Sequence, residues 1–289
     1  PGTTVRIAEG IGVLSYSPLK IEAAAQPVVV RALDENKPFG SFGVVSNYGK
    51  SEIDGLDLSG GKEMVINGIY LSGGLAVYNH DLELKNAKIH NNNADDGLIV
   101  KYSHVKIYDN QFFNNFADQF DCDFCTGIVM DNEFREVRGD SNGDGLDFSG
   151  STIIVKDNIF RRFTDKGLSI GEDTKAILLR NDFENNNNGI AIKDSSQVFL
   201  LRNTFSNNNV SINAYQKKQL FDGGYGYLFE NTFVDNTEKL KSDKRSKFYQ
   251  INFVDDDETH LLNFLSTEQL SKSLAIMDRY VQWKSEEVS

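Results

Sequence analysis

The chain has 289 residues, of which 39% are apolar and 25% are charged, so it can bury a substantial core. Its 42 acidic and 30 basic residues give a formal net charge of -12. This excess disfavours nucleic acid as a partner, because a nucleic-acid binder neutralises phosphates with lysine and arginine. The mean hydropathy of -0.40 and the lack of any run of about 18 apolar residues argue against a membrane span.

The first residues of the chain contain no charged and then apolar signal segment. We therefore expect either an intracellular protein or the mature or trimmed form of an exported one. Residues 1–66 are weakly periodic, but Val28–Ala32 and Phe42–Val45 have the apolar character of strands. These two segments predict the first coils of a repeating fold.

An asparagine followed two positions later by an apolar residue recurs along the middle of the chain, at steps of roughly 22 to 28 residues. Weaker copies begin at Asn67 and Asn86. The six strong copies end in phenylalanine and begin at Asn110, Asn132, Asn158, Asn181, Asn203 and Asn231. Asparagine satisfies the backbone at tight corners, so we predict a structural asparagine ladder beside a phenylalanine stack and assign these residues no catalysis.

A second strand-like segment follows each asparagine by about a dozen residues. These segments are residues 97–101, 120–124, 145–148, 167–170 and 189–193. Short strands joined by Asn-, Asp- and Gly-rich corners in each repeat predict an all-β, parallel β-helix over residues 1–236. Such a solenoid stacks equivalent residues about 4.8 Å apart on neighbouring coils.

The last part of the chain, residues 237–289, has a different pattern. A charged run is followed by residues 266–269, which have the spacing of a helix capping box, and this predicts a helix directly afterwards. Leu270, Leu274, Met277 and Val281 then repeat at helical spacing. We expect this helix to pack on or cap the solenoid, with recruitment of a protein partner as the alternative.

Residues 20–235 resemble the right-handed parallel β-helix proteins of the pectate-lyase-like superfamily, which includes polygalacturonases, uronate lyases, polymannuronate C5-epimerases and NosD-like binding proteins. Residues 167–171 and 189–193 are similar to polygalacturonase segments that supply a catalytic-site histidine and a substrate-binding lysine. Lys166 stands where that family has its histidine, and the Asn-Thr-Asp and Asp-Asp elements are not reproduced in order. The resemblance therefore implies the fold and not the reaction.

In the second strand-like segment of each repeat, side chains alternate between the two faces of the sheet, and this alternation predicts which residues face outward. One outer column contains Ile99, Asp121, Asp147, Ser169 and Ala191, and the adjacent column contains Lys101, Asp123, Ser149, Gly171 and Lys193. Carboxylates stacked about 5 Å apart cannot both ionise cheaply, so one should have a raised pKa or the group should hold a cation. Asp121, Asp123 and Asp147 are the catalytic candidates, and the alternative is a solvated acidic face paired with Lys101.

Three functions are compatible with this face, for which an extended polysaccharide is the favoured ligand. The first is glycoside cleavage by a carboxylate pair at the spacing used by retaining glycosidases. The second is a calcium-assisted uronate lyase or C5-epimerase, and the third is a noncatalytic glycan-binding or surface assembly module. Lys101, Lys193, Tyr215 and Lys217 are the candidate substrate-binding groups. We expect an extracytoplasmic location and no organic cofactor.

Residues 140–145 have the D-x-N-x-D-G spacing of a calcium loop, although Ser151 stands where the closing glutamate belongs. Asp140, Asn142 and Asp144 are therefore the candidate calcium ligands, and an ordinary Asx- and Gly-rich corner is the alternative. Cys122 and Cys125 have thioredoxin-like spacing without the strand-to-helix context of that motif. We predict that Cys122 is a core residue.

Overall fold

The computed structural model describes residues 1–139, 143–283 and 287–288. The chain passes through three parallel sheets in turn, which confirms the parallel β-helix. Sheet one contains β1 Thr4–Ile7, β4 Val28–Ala32, β7 Leu56–Ser59, β12 Lys88–His90, β15 Gln111–Phe113, β18 Glu133–Arg135, β21 Ile159–Arg161, β24 Asp182–Glu184, β27 Thr204–Ser206 and β30 Thr232–Val234.

The second and third sheets have the same one-strand-per-coil order. Sheet two contains β2 Val13–Ser15, β5 Phe42–Val45, β10 Gly73–Tyr78, β13 Asp96–Lys101, β16 Asp118–Asp123, β19 Leu146–Ser149, β22 Lys166–Gly171, β25 Asn188–Lys193, β28 Val210–Tyr215 and β31 Glu238–Ser242. Sheet three contains β3 Lys20–Glu22, β6 Lys50–Asp54, β11 Asp81–Lys85, β14 His104–Tyr108, β17 Thr126–Met130, β20 Thr152–Lys156, β23 Lys175–Leu179, β26 Gln197–Leu201, β29 Tyr225–Phe229, β32 Lys247–Gln250 and the antiparallel β33 Glu287–Val288. A separate hairpin joins β8 Met64–Ile66 to β9 Ile69–Leu71.

The ladder predicted from the six strong copies and the phenylalanine stack both lie inside the coils, whereas the weaker copies were wrong, because Asn67 lies in the exposed hairpin turn and Asn86 is exposed. At the ladder position of Asn181, the side-chain amide donates to the carbonyl of Val155 at 2.8 Å, and its oxygen accepts the backbone N–H of Asn158 at 3.0 Å. The phenylalanine rings that follow the ladder stack with centroids 4.8 Å apart between Phe160 and Phe183 and 5.1 Å apart between Phe183 and Phe205. Polar corners and aromatic packing therefore repeat together on each coil.

The C-terminal segment differs from its predicted form in two ways. Strands continue to Gln250, so the solenoid extends beyond the expected boundary at residue 236. Two helices follow, α1 Asp257–Ser266 and α2 Leu270–Trp283, and the sequence analysis predicted only the second. The capping-box assignment was wrong, because residue Ser266 ends α1 and Thr267 is its C-cap.

Both helices pack against the outer face of sheet three rather than over an end of the solenoid. Leu261 and Leu265 of α1 and Met277 of α2 are buried in one apolar cluster with outward residues of that sheet, among them Ile177 and Phe199. No helix in the described part of the chain is long and apolar enough to cross a membrane.

The two cysteines are joined by a disulfide at the corner between β16 and β17. Cys122 is also a core residue, as predicted, and Cys125 is buried beside it. The spacing alone did not predict that they are bonded to each other.

Candidate functional site

The outer face of sheet two carries a group of aspartates that we call the acid cluster, namely Asp96, Asp118, Asp121, Asp144 and Asp147. The strand registers align Ile99 with Asp121, Asp121 with Asp147 and Asp147 with Ser169. This is the outer column expected from the sequence. Leu146 and Phe148 flank Asp147 and point into the core, which fixes its side chain outward.

A further column at the start of these strands was missed by the sequence analysis. Asp96 pairs in register with Asp118, and the backbone N–H of Asp144 donates to Asp118 Oδ1 at 2.7 Å. On the next coil, Lys166 Nζ lies 3.1 Å from Asp144 Oδ1. Aligning the residue before Gly97, Gly145 and Gly167 would have revealed most of this column, since those residues are Asp96, Asp144 and Lys166.

The two columns converge at Asp118, Asp144 and Asp147. One carboxylate oxygen from each of these residues lies within 4.8 Å of the others. Asp147 Oδ1 is shielded from solvent and has no hydrogen-bond partner among the described atoms. The group therefore offers converging oxygens, one of them uncompensated, to a cation or a shared proton.

Burial and mutual repulsion raise the pKa of several carboxyls in the acid cluster. The pKa of Asp96 rises to about 7, chiefly because the side chain is buried. Burial, with the charges of Asp96 and Asp147, raises the pKa of Asp121 well above its usual range. Burial and the charges of Asp144 and Asp147 do the same for Asp118. These carboxyl groups therefore keep their protons to higher pH than an ordinary aspartate does.

Two lysines on the following coils border the acid cluster. Burial lowers the pKa of Lys166, but Asp144 and Asp165 outweigh burial, so the pKa is raised overall and the side chain stays cationic. Lys193 is buried, donates to Ser169 Oγ at 2.6 Å, and its Nζ lies 3.8 Å from Asp147 Oδ2. Both lysines hold carboxylates of the cluster in place.

The remaining predicted residues fall around this centre. Asp123 forms an ion pair with Lys101 at 2.7 Å, one position along the strand from the buried Cys122. Tyr215 follows Lys193 in register and borders a depression of about 290 Å³. Lys217 is exposed in the loop after β28, where its backbone N–H donates to Asp194.

The predicted calcium loop is only partly observable. Asp140 and Asn142 lie outside the described residues. Asp144 is buried, and its carboxylate is shared between Lys166 Nζ and the Lys166 backbone N–H. The carboxylates that lie next to Asp144 are therefore those of Asp118 and Asp147, and the spacing of the predicted calcium loop did not indicate either of them.

Residues 54–264 match the family model described as periplasmic copper-binding protein (NosD). The chain belongs to this family. Comparison with curated proteins gave no match. The NosD match covers the coils that carry the acid cluster and extends into α1.

Two solved structures show the same fold at low sequence identity. An alginate lyase from Paenibacillus sp. str. FPU-7 is 13% identical with a TM-score of 0.50, over 85% of this chain and 92% of that one. Full-length tailspike protein 2 of Escherichia coli O157:H7 bacteriophage CAB120 is 10% identical with a TM-score of 0.50, over 86% of this chain and 38% of that one.

Among the described residues of this NosD-family chain, the metal-ligating side chains that converge do not fit copper. Copper prefers imidazole and sulfur ligands, whereas carboxylates suit calcium, magnesium and manganese. Both cysteines are in the disulfide, and Met130 and Met277 are packed in the apolar cluster beneath the helices. His80 is buried and hydrogen-bonded to Ser51 and the carbonyl of Tyr78. Across residues 1–139, 143–283 and 287–288, three metal-ligating side chains converge at one place, and all three are carboxylates: Asp118, Asp144 and Asp147.

Proposed function

We propose that this protein binds an extended polysaccharide along the outer face of sheet two and cleaves it by carboxylate acid–base catalysis. The observation that carries the proposal is the in-register pair of Asp121 and Asp147. Neighbouring strands are separated by about 4.8 Å, which is close to the roughly 5–5.5 Å between the two carboxyls of retaining glycosidases.

Asp121 and Asp147 would take different roles because their surroundings differ. Burial and the nearby aspartates raise the pKa of Asp121, so it retains a proton to donate to the glycosidic oxygen. Asp147 Oδ2 lies 3.8 Å from the ammonium group of Lys193, and Asp147 would act as the nucleophile or base. The Asp123–Lys101 ion pair and Tyr215 would border the bound polysaccharide on either side of the Asp121–Asp147 pair.

A second candidate is cation-assisted chemistry on a uronic polysaccharide, by a lyase or a C5-epimerase. It is favoured by the convergence of Asp118, Asp144 and Asp147 and by the unpartnered Oδ1 of Asp147. Three carboxylate oxygens match the ligand preference of calcium. Calcium bound there would offset the negative charge and bridge a uronate carboxylate.

An extracytoplasmic location is part of the proposal. The family description names periplasmic proteins, and a disulfide between Cys122 and Cys125 is typical of oxidising compartments.

The test is incubation of the full chain with neutral and uronic polysaccharides, alginate and polygalacturonate among them, with calcium or with a chelator. Reducing ends and the absorbance of unsaturated uronates are followed together. We expect new reducing ends without unsaturated products, at a rate that the chelator does not change. Asp121→Asn should lower the rate at least about a hundredfold, because it removes the proton donor.

The matched control is Asp109→Asn. Asp109 is exposed on the turn between β14 and β15, away from sheet two, and asparagine tolerates its positive φ of 56°.

Unsaturated products that require calcium would replace the leading proposal with the second candidate. Retention of a glycan without any product would leave a binding module and overturn the cleavage proposal.

A further inference from the structure

A basic cleft of about 370 Å³ lies on the outer face of sheet one, on the early coils. Arg31 of β4, His90 of β12 and Arg138 from the loop after β18 line it, and Ser59 and Asn91 add polar groups. The register places Arg31, Ser59 and His90 in one outward column. The acid cluster lies on a different sheet, so the cleft is separate from the site already described.

Arg31 is the least compensated cation in the cleft. Its Nε is shielded from solvent and has no hydrogen-bond partner among the described atoms. No described carboxylate lies within ion-pair distance of its guanidinium, although its charge contributes to lowering the pKa of Asp57 nearby. A buried donor without a partner is costly, so an acceptor entering the cleft would gain a hydrogen bond that folding leaves unmade.

The other two basic side chains, Arg138 and His90, are held in position by neutral and acidic neighbours. Arg138 donates to Asn93 Oδ1 at 2.9 Å and to the carbonyl of Asn92 at 3.3 Å, which anchors its guanidinium without cancelling its charge. The His90 ring stacks on Phe113 at 4.7 Å and contacts Asp57 through Nε2 at 3.2 Å. These contacts hold the walls of the cleft in a defined geometry before any ligand arrives.

We propose that this cleft is a binding site for an oxyanion group, a carboxylate, sulfate or phosphate, held mainly by Arg31 and Arg138. Guanidinium groups match these anions in charge and in geometry. Glu35 is the carboxylate that lines the cleft, against two arginines, on a chain whose net charge is -12. The anionic group can belong to a uronic oligosaccharide or to a free inorganic ion, and the experiment separates these sources.

Isothermal titration calorimetry of the full chain with trigalacturonate, inorganic phosphate and sulfate tests the site. We expect at least one of the three to bind, and Arg31→Gln and Arg138→Gln each to raise its Kd about tenfold or more. Tighter binding of trigalacturonate than of both inorganic ions would identify the glycan as the source, and the reverse order would identify the free ion.

Arg6→Gln is the matched control, because Arg6 is exposed and lies one coil before Arg31 in the same column. It should leave Kd within twofold of wild type. If Arg31→Gln does not fold, Arg138→Gln decides, since that residue lies outside the strands. Binding of none of the anions, or an equal loss in Arg6→Gln, overturns the proposal.

Discussion

Asp96 begins β13 with its side chain buried, and it accepts a hydrogen bond from Ser72 Oγ at 2.7 Å. Burial raises its pKa from 3.8 to about 7, against the partial compensation of that bond. Between these two values the unfolded chain releases the proton while the folded chain keeps it. The free energy of unfolding therefore falls as pH rises through this window and levels off above about pH 7.

Replacing Asp96 with asparagine should remove the part of this dependence that is due to Asp96, while Asp118 and Asp121 still contribute to it. We predict that Asp96→Asn is close to wild type in stability near pH 4 and more stable near pH 8, by at most about 4 kcal/mol. Denaturant unfolding of both proteins at the two pH values gives the difference, with Asp109→Asn as the exposed control. An equal decline in wild type and Asp96→Asn between the two pH values would refute the assignment.

Each ladder asparagine ties three coils together, so the ladder is an element of the solenoid rather than a set of separate caps. Asn181 accepts from the Asn158 backbone, and its amide donates to the carbonyl of Val155 and to Asn203 Oδ1. A second set of stacked asparagines, absent from the sequence predictions, has two separate segments: Asn92 with Asn115, and Asn186 with Asn208 and Asn236. Its spacing was hidden because the corners that contain it are rich in asparagine at several neighbouring positions.

Removing one ladder side chain should destabilise the solenoid much more than removing an exposed asparagine. We predict that Asn181→Ala lowers the free energy of unfolding by about 2–4 kcal/mol, because buried backbone groups lose their partners. Asn209→Ala, at an exposed corner position, should change it by less than about 0.5 kcal/mol. Urea unfolding monitored by circular dichroism compares them, and similar losses in both variants would show that the ladder is not a source of stability.

Across the whole molecule, sequence reasoning succeeded where the coil period repeats. The stack of Asp121 on Asp147 follows from alternation and from equal spacing of neighbouring coils, and the registers confirm it. It failed where contacts join segments outside that period. The acidic residues Asp257 and Glu258 in the first turn of α1 were not interpreted as a helix start, and Arg138 lines the same cleft as Arg31 only because the solenoid winds distant coils onto one face.

The three faces of the solenoid have different surroundings. The two helices cover much of the later part of sheet three, sheet one carries the basic cleft on its early coils, and the outer face of sheet two carries the acid cluster. A polymer lying on sheet two would meet successive coils about 4.8 Å apart. The central claim is therefore that sheet two is both the binding face and the reacting face.

Comparison of turnover with affinity in Asp147→Asn tests that claim most directly. On the polysaccharide that wild type cleaves, we predict a loss of kcat of about a thousandfold or more, because the nucleophile or base is removed, while the Kd of the polysaccharide stays within about threefold. Asp109→Asn should keep both values. Undiminished turnover in Asp147→Asn would contradict the proposed chemistry on sheet two.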